Sequence, residues 1–304
     1  MTINSLTSTE AFVLSGGTLT LNSASAISNN FTLSNGSLSG SGDLIVSGLM
    51  SWTGGTMSGS GKTFANGGLD ISGPAAKTLN GRTLSNTGTA TWTGGTLSGP
   101  GVLTNTGTLN LSGDAVKTLN NLTFNNAGTV TWTGTGNLNL GNGAVFNNLA
   151  DSLFDAQNDA SFAWFGGVPP VFNNAGLFRK SAGNGPTTFG GNVTFSGGNV
   201  EVLTGTLSLA DGNTTTTSGN FTVADGAVLD LTGGSTRTYV GNYTGTGAGT
   251  VRLGSGTLRV GADGATFNFG GNLLQWMGGT LSGPGVLTNT GTLNVSGDAL
   301  KTLN

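Results

Sequence analysis

The chain has 304 residues, of which 57 are glycine and only 8% are charged, and it contains neither cysteine nor histidine. That composition excludes a disulfide scaffold, a thiolate or imidazole centre and the usual zinc site, and the scarcity of helix formers beside so much Gly, Thr, Ser and Asn excludes long helices. Ten basic against 13 acidic residues, a net charge of -3, lack the clustered cations a nucleic acid requires, and no stretch approaches the roughly 20 apolar residues that cross a bilayer, so neither nucleic acid nor membrane insertion is expected.

From the N-terminus, residues 1–10 carry neither the positive nor the apolar segment of a secretory leader. The first strand signals are Gly48-Leu49-Met50-Ser51-Trp52 and Gly68-Leu69-Asp70-Ile71. The pattern then tightens to Asn-x-Gly-Thr-apolar-x-apolar at 86–92, 105–111, 126–132 and 289–295, with a looser form at Asn174-Ala175-Gly176-Leu177-Phe178. Apolar residues two apart, separated by Thr, Ser or Asn, are the alternation of a strand with one buried and one wet face: Leu109 and Leu111 inward, Thr108 and Asn110 outward. Glycine pairs after each strand permit sharp corners.

The units recur at about 20 residues, and Trp52, Trp92 and Trp132 at twice that spacing. A strand this short cannot bury its apolar face alone, so successive units must stack. The period is half that of a propeller blade and matches one coil of a parallel β-helix. The expected fold is therefore all-β: a right-handed parallel β-helix (β-solenoid), with roughly 20 residues per coil and about 15 coils over 1–304, continuous as a single domain. Stacking predicts a core column in which Trp92, Leu111 and Trp132 alternate.

Between 149 and 186 the repeat is disturbed by Phe154, Phe162, Trp164, Phe165, Phe178 and the pair Pro169-Pro170, so the coils there must widen or extrude a loop. Phe162, Trp164 and Phe165 are the candidate ligand or partner contacts, because exposed aromatics anchor glycans and proteins; core filling is the competing expectation. Asp151, Asp155 and Asp159, spaced by four, are the sole carboxylate cluster, weighed as calcium ligands against solvated loop charges, with the latter preferred. No catalytic residue, cofactor site or metal site is expected.

Residues 276–304 repeat residues 92–120 except at Thr93/Met277, Leu111/Val295 and Val116/Leu300. Lys301-Thr302-Leu303-Asn304 thus matches Lys117-Thr118-Leu119-Asn120 in mid-repeat, which leads to the expectation of a segment of a longer repetitive chain.

Tandem Asn-x-Gly-Thr-Leu-x-Leu with Gly-Gly-Thr-Leu resembles the filamentous haemagglutinin and autotransporter-passenger type of bacterial β-helix repeat. The resemblance implies a structural stalk or filament of a bacterial surface or extracellular fibre, adhesive in some members. The expected partners are the chain itself, end to end or in tandem array, and surface glycans or host proteins. A polysaccharide-binding or polysaccharide-processing β-helix is the alternative, and a Thr-faced ice-binding solenoid a lesser one.

Overall fold

The computed structural model describes residues 1–212 and 214–304. Among the described residues there is no helix: parallel sheets stack as a β-solenoid of about 14 turns of about 21 residues. One turn shows the construction. Thr89–Trp92, Gly95–Ser98 and Val102–Asn105 lie on three different sheets, and Thr108–Leu111 then returns to pair in parallel with Thr89–Trp92. Two compact units divide the chain, Met1–Asn147 with Phe165–Val168 and Asn148–Trp164 with Pro169–Asn304.

In the first unit the predicted column is present. Leu14, Leu33, Trp52, Ile71, Trp92, Leu111 and Trp132 follow one another in strict register, all buried. From Trp52 onward ring and aliphatic side chain alternate, at the ~4.8 Å strand spacing that parallel ladders impose. The Asn of the repeat motif faces inward too, because it follows Leu103 by two and so shares its parity. Asn86, Asn105 and Asn126 are in register and buried. Each amide donates to the next, Asn86 Nδ2 to Asn105 Oδ1 at 2.8 Å and Asn105 Nδ2 to Asn126 Oδ1 at 2.9 Å. The same nitrogens hold the corner glycine, Asn105 to Gly107 O at 3.1 Å. At the bottom of this column Ala65 underlies Asn86 and offers no donor, so Asn86 Oδ1 is buried without a partner. Gly107 is required for proximity: a Cβ there would lie 2.1 Å from Gly88 O of the preceding turn. The motif is therefore one amide ladder turning one corner.

In the second unit the disturbed segment fills its interior with phenylalanine. Phe154 and Phe178, Phe162 and Phe189, and Phe172 and Phe195 are register pairs, one on each sheet. The Phe162 and Phe189 rings stack at 4.1 Å and 4°, those of Phe154 and Phe178 at 5.3 Å and 7°. Pro169 and Pro170 fall between strands Ser161–Trp164 and Val171–Asn174, and Pro170, which has no N–H to give, still accepts the Thr194 N–H at 3.0 Å.

Candidate functional site

The three predicted contact residues do not form one surface. Phe162 is 0% exposed, inside the phenylalanine stack, and so is not available as a contact residue; core filling is what occurs at that position. Trp164, two residues on and inward by parity, ends its strand and is 41% exposed. Phe165 is 57% exposed and groups with the first unit, where its N–H donates to Leu140 O at 2.7 Å. Two exposed aromatics remain, each on its own unit.

The aspartate series is also dispersed. Asp151 occupies an exposed turn with φ of 64°. Asp155 is buried and accepts from Ser181 Oγ at 2.6 Å and Gln157 Nε2 at 2.8 Å. Asp159 pairs with Lys180 Nζ at 2.9 Å, and that ammonium group holds its carboxyl below the usual range against the upward push of desolvation. Asp151 is the solvated loop charge expected, Asp159 is a half-exposed ion-pair partner and only Asp155 is buried, and no group of three acidic side chains among the described residues is placed to hold a metal ion.

The sequence reading missed the buried cations. Five of the ten basic residues, Lys77, Arg82, Lys117, Lys180 and Arg237, have no exposed surface. Arg82 Nε donates to Thr63 Oγ1 at 2.8 Å, and its terminal nitrogens to Gly42 O at 2.9 Å and Lys62 O at 3.1 Å, joining three successive turns. Desolvation pulls its pKa down to about 10, with Asp43 opposing. Lys77 Nζ folds back onto Gly73 O at 2.8 Å and Ala75 O at 3.1 Å, and Lys117 onto Gly113 O at 3.3 Å and Ala115 O at 3.0 Å; burial lowers both lysines, with Asp70 and Asp114 respectively opposing. Lys180 Nζ binds Asn158 O at 2.8 Å and Ala182 O at 3.0 Å besides Asp159.

In the second unit Arg237 pairs with Asp211 and donates to Phe195 O at 2.7 Å. Asp211 accepts from the Phe195 N–H at 2.8 Å and Thr214 Oγ1 at 3.0 Å, and burial pushes its carboxyl upward against the pull of Arg237. Tyr239 donates to Leu231 O, and Tyr243 to Thr216 O at 2.8 Å. Parity was the available signal: Lys117 precedes the inward Leu119 by two, and Arg82 stands where Leu122 stands two turns later. Chemically, these cations donate hydrogen bonds to buried backbone carbonyls, and Arg237 neutralises the buried Asp211 carboxylate.

The chain matches no protein-family model, no curated protein and no solved structure. On the outside, an open depression of about 300 Å³ on the second unit is lined by Leu177, Arg179, Asn199, Glu201, Asn220 and Thr222, among others, with Arg179 paired to Glu201. On the first unit, outward Thr89, Thr108 and Thr129 are in register, while the neighbouring row reads Asp70, Thr91, Asn110, Thr131, so Asp70 and Asn110 break the threonine lattice.

Proposed function

We propose that the chain is a structural segment, a stalk or filament piece, of a bacterial cell-surface or extracellular fibre. The observation that carries this reading is where its reactive groups go. Half the basic side chains are buried as clamps on corner carbonyls and carboxylates. Arg82, Lys180 and Arg237 hold neighbouring turns together and Lys77 and Lys117 brace the corners of their own turns, and a protein that commits its scarce cations in this way is built for stiffness. The sequence resemblance to bacterial β-helix repeats supplies the location, and the exposed Trp164 and Phe165 supply adhesive anchors for glycans or host proteins. Antibody labelling of intact cells with electron microscopy tests it: long unbranched fibres carrying label on the outside are expected, and label confined to the cytoplasm would end the proposal.

The second reading is polysaccharide binding, favoured by the Arg179 and Glu201 depression, whose polar Asn and Thr rim suits sugar hydroxyls. A glycan array separates the two contacts. Loss of signal in Arg179→Ala assigns binding to the depression, loss in Trp164→Ala assigns it to the aromatic, and no signal in the parent retires both.

A further inference from the structure

The depression on the second unit lies on a sheet face whose outward residues form two rows. Leu177–Lys180, Gly198–Val202, Gly219–Val223 and the latter half of Thr236–Thr246 pair in parallel, one turn after another. Leu177, Asn199, Asn220, Thr244 and Asn268 make the first row, each in register with the next. Arg179, Glu201, Thr222 and Thr246 make the second. The residues between the rows, Phe178, Val200 and Phe221, point into the core and are buried, so the face is held from behind. Asn174 Nδ2 adds a tie from the corner, donating to Asn199 O at 2.9 Å.

The polar groups on this face are only partly used. Arg179 commits Nε to Glu201 Oε2, and among the described residues its two terminal nitrogens and Glu201 Oε1 have no partner. Asn220 accepts from Thr244 Oγ1 at 3.2 Å, which leaves its amide nitrogen open, and the Asn199 amide is exposed beside it. A guanidinium only donates, a carboxylate only accepts, and an amide does both. The ligand group that answers adjacent donors and acceptors is the hydroxyl: of two neighbouring hydroxyls, one accepts from Arg179 while the other donates to Glu201. Charge narrows the choice further. Arg179 stands in register between Asp155 and Glu201, so an anionic sugar would meet two carboxylates for one guanidinium.

We propose that this face binds a neutral, extended, β-linked polysaccharide laid along the two rows, one sugar per turn, with Arg179 and Glu201 clamping a pair of neighbouring hydroxyls. The inference rests on the polysaccharide reading of the depression and names its ligand. Spacing selects the linkage. Strands of a parallel ladder stand ~4.8 Å apart, and an extended β-linked pyranose chain advances by close to that distance per sugar. Asn199, Asn220, Thr244 and Asn268 therefore offer a hydrogen-bonding side chain to each successive sugar, and Leu177 ends the row with an apolar surface for a ring face. An α-linked chain curves and rises less per sugar, so it leaves the row after a few residues.

The test titrates the whole 304-residue chain with cellohexaose, with its α-linked isomer maltohexaose and with an oligogalacturonate of the same length, followed by ligand-observed NMR and calorimetry. Cellohexaose is expected to bind with a Kd on the order of 1 mM, since no aromatic ring stacks on the sugar, and added salt leaves that affinity unchanged. Arg179→Ala and Asn220→Ala each weaken it about tenfold, while Thr188→Ala, outward on a different sheet, does not alter it. Glu201→Gln, which keeps the shape and removes the charge, serves in place of Arg179→Ala if that variant melts early. Preference for maltohexaose or the oligogalacturonate, lost in Arg179→Ala, would overturn the neutral extended ligand while keeping the polysaccharide reading. Cellohexaose binding that survives both Arg179→Ala and Asn220→Ala overturns the site, and binding of none of the three sugars removes the reading with it.

Discussion

At the scale of single residues the fold depends on side chains that composition alone would place outside. Arg82 spans three turns with its guanidinium, and the carbonyls of Gly42 and Lys62 have it as a shared donor. Arg82→Leu is the informative change, because Leu122 occupies the equivalent inward position of a later turn and the repeat accepts that shape. The aliphatic chain fits but the carbonyls and Thr63 Oγ1 lose a charged donor in a buried place. A loss of about 2–4 kcal/mol is expected in urea unfolding followed by tryptophan fluorescence; a loss below about 0.5 kcal/mol would mean that water replaces the clamp. Glycine supplies a contrast of sign. Gly107→Ala drives a Cβ into Gly88 O and is expected to destabilise strongly, whereas Gly16, with nothing within 4 Å of its virtual Cβ and no positive φ, gains about 0.4–1 kcal/mol as Ala by restricting the unfolded chain. Melting temperatures moving in the same direction for both would refute the close-approach argument.

At the scale of elements the unit of stabilisation is the column, one residue per turn in register. In the amide column Asn105 donates to Asn126, to Gly107 O and to Thr129 O at 3.1 Å while accepting from Asn86, so Asn105→Ala removes four buried hydrogen bonds at one level and leaves a cavity, while Asn86 Nδ2 keeps Gly88 O and Thr108 O and Asn126 Oδ1 keeps the Gly128 N–H. The expected cost is about 2–4 kcal/mol, read as a lowered urea midpoint, and Thr104→Ala on the outward side of the same strand serves as the control with little change. Most of this architecture was legible because the side-chain period of a strand is two and the turn length is nearly constant: Leu109, Leu111 and the three indoles sort themselves inward once the period is known. The inward Asn, Lys and Arg obey the same parity, but their polarity argues for solvent, and only the hydrogen bonds across turns resolve the conflict. Trp164 fails for the opposite reason: its parity points inward, yet the strand ends on it and the following Gly166 and Gly167, both at positive φ, break the side-chain alternation while the backbone of 165–168 stays bonded to the preceding turn. The candidate contacts were half legible, since aromaticity was visible and the end of the ladder was not.

At the scale of the whole molecule both compact units bury cations, but the groups that burial shifts in the alkaline range are cations in the first and phenols in the second, so alkaline pH should act on the two with opposite signs. The first unit holds Lys77, Arg82 and Lys117, whose pKa values desolvation lowers, Arg82 to about 10 from 12.5. Between the folded and unfolded values the unfolded chain binds more protons, so this contribution to stability rises with pH through that window. The second unit holds Tyr239 and Tyr243, both pushed above 10.0 by desolvation, with Tyr243 restrained by its bond to Thr216. Above pH 10 the unfolded chain loses phenolic protons that the folded chain keeps, so stability falls as pH rises, by up to about 1.4 kcal/mol per tyrosine per pH unit. These are the chain's two tyrosines; Trp52, Trp92 and Trp132 lie in the first unit and Trp164 and Trp276 in the second, so a background carrying Trp164→Phe and Trp276→Phe separates the probes. On alkaline titration tyrosinate absorbance is expected to stay low past pH 10 and then to rise in one cooperative step as the second unit opens. The urea midpoint read from tryptophan should be maintained or raised between pH 8 and pH 11, while that read from tyrosine falls. Tyr243→Phe removes one of the two phenols and should shrink the alkaline loss, even though it also removes the bond to Thr216. A smooth titration centred at 10 with an unchanged tyrosine midpoint would show instead that solvent reaches both rings in the folded chain, which the close packing of the aromatic core forbids.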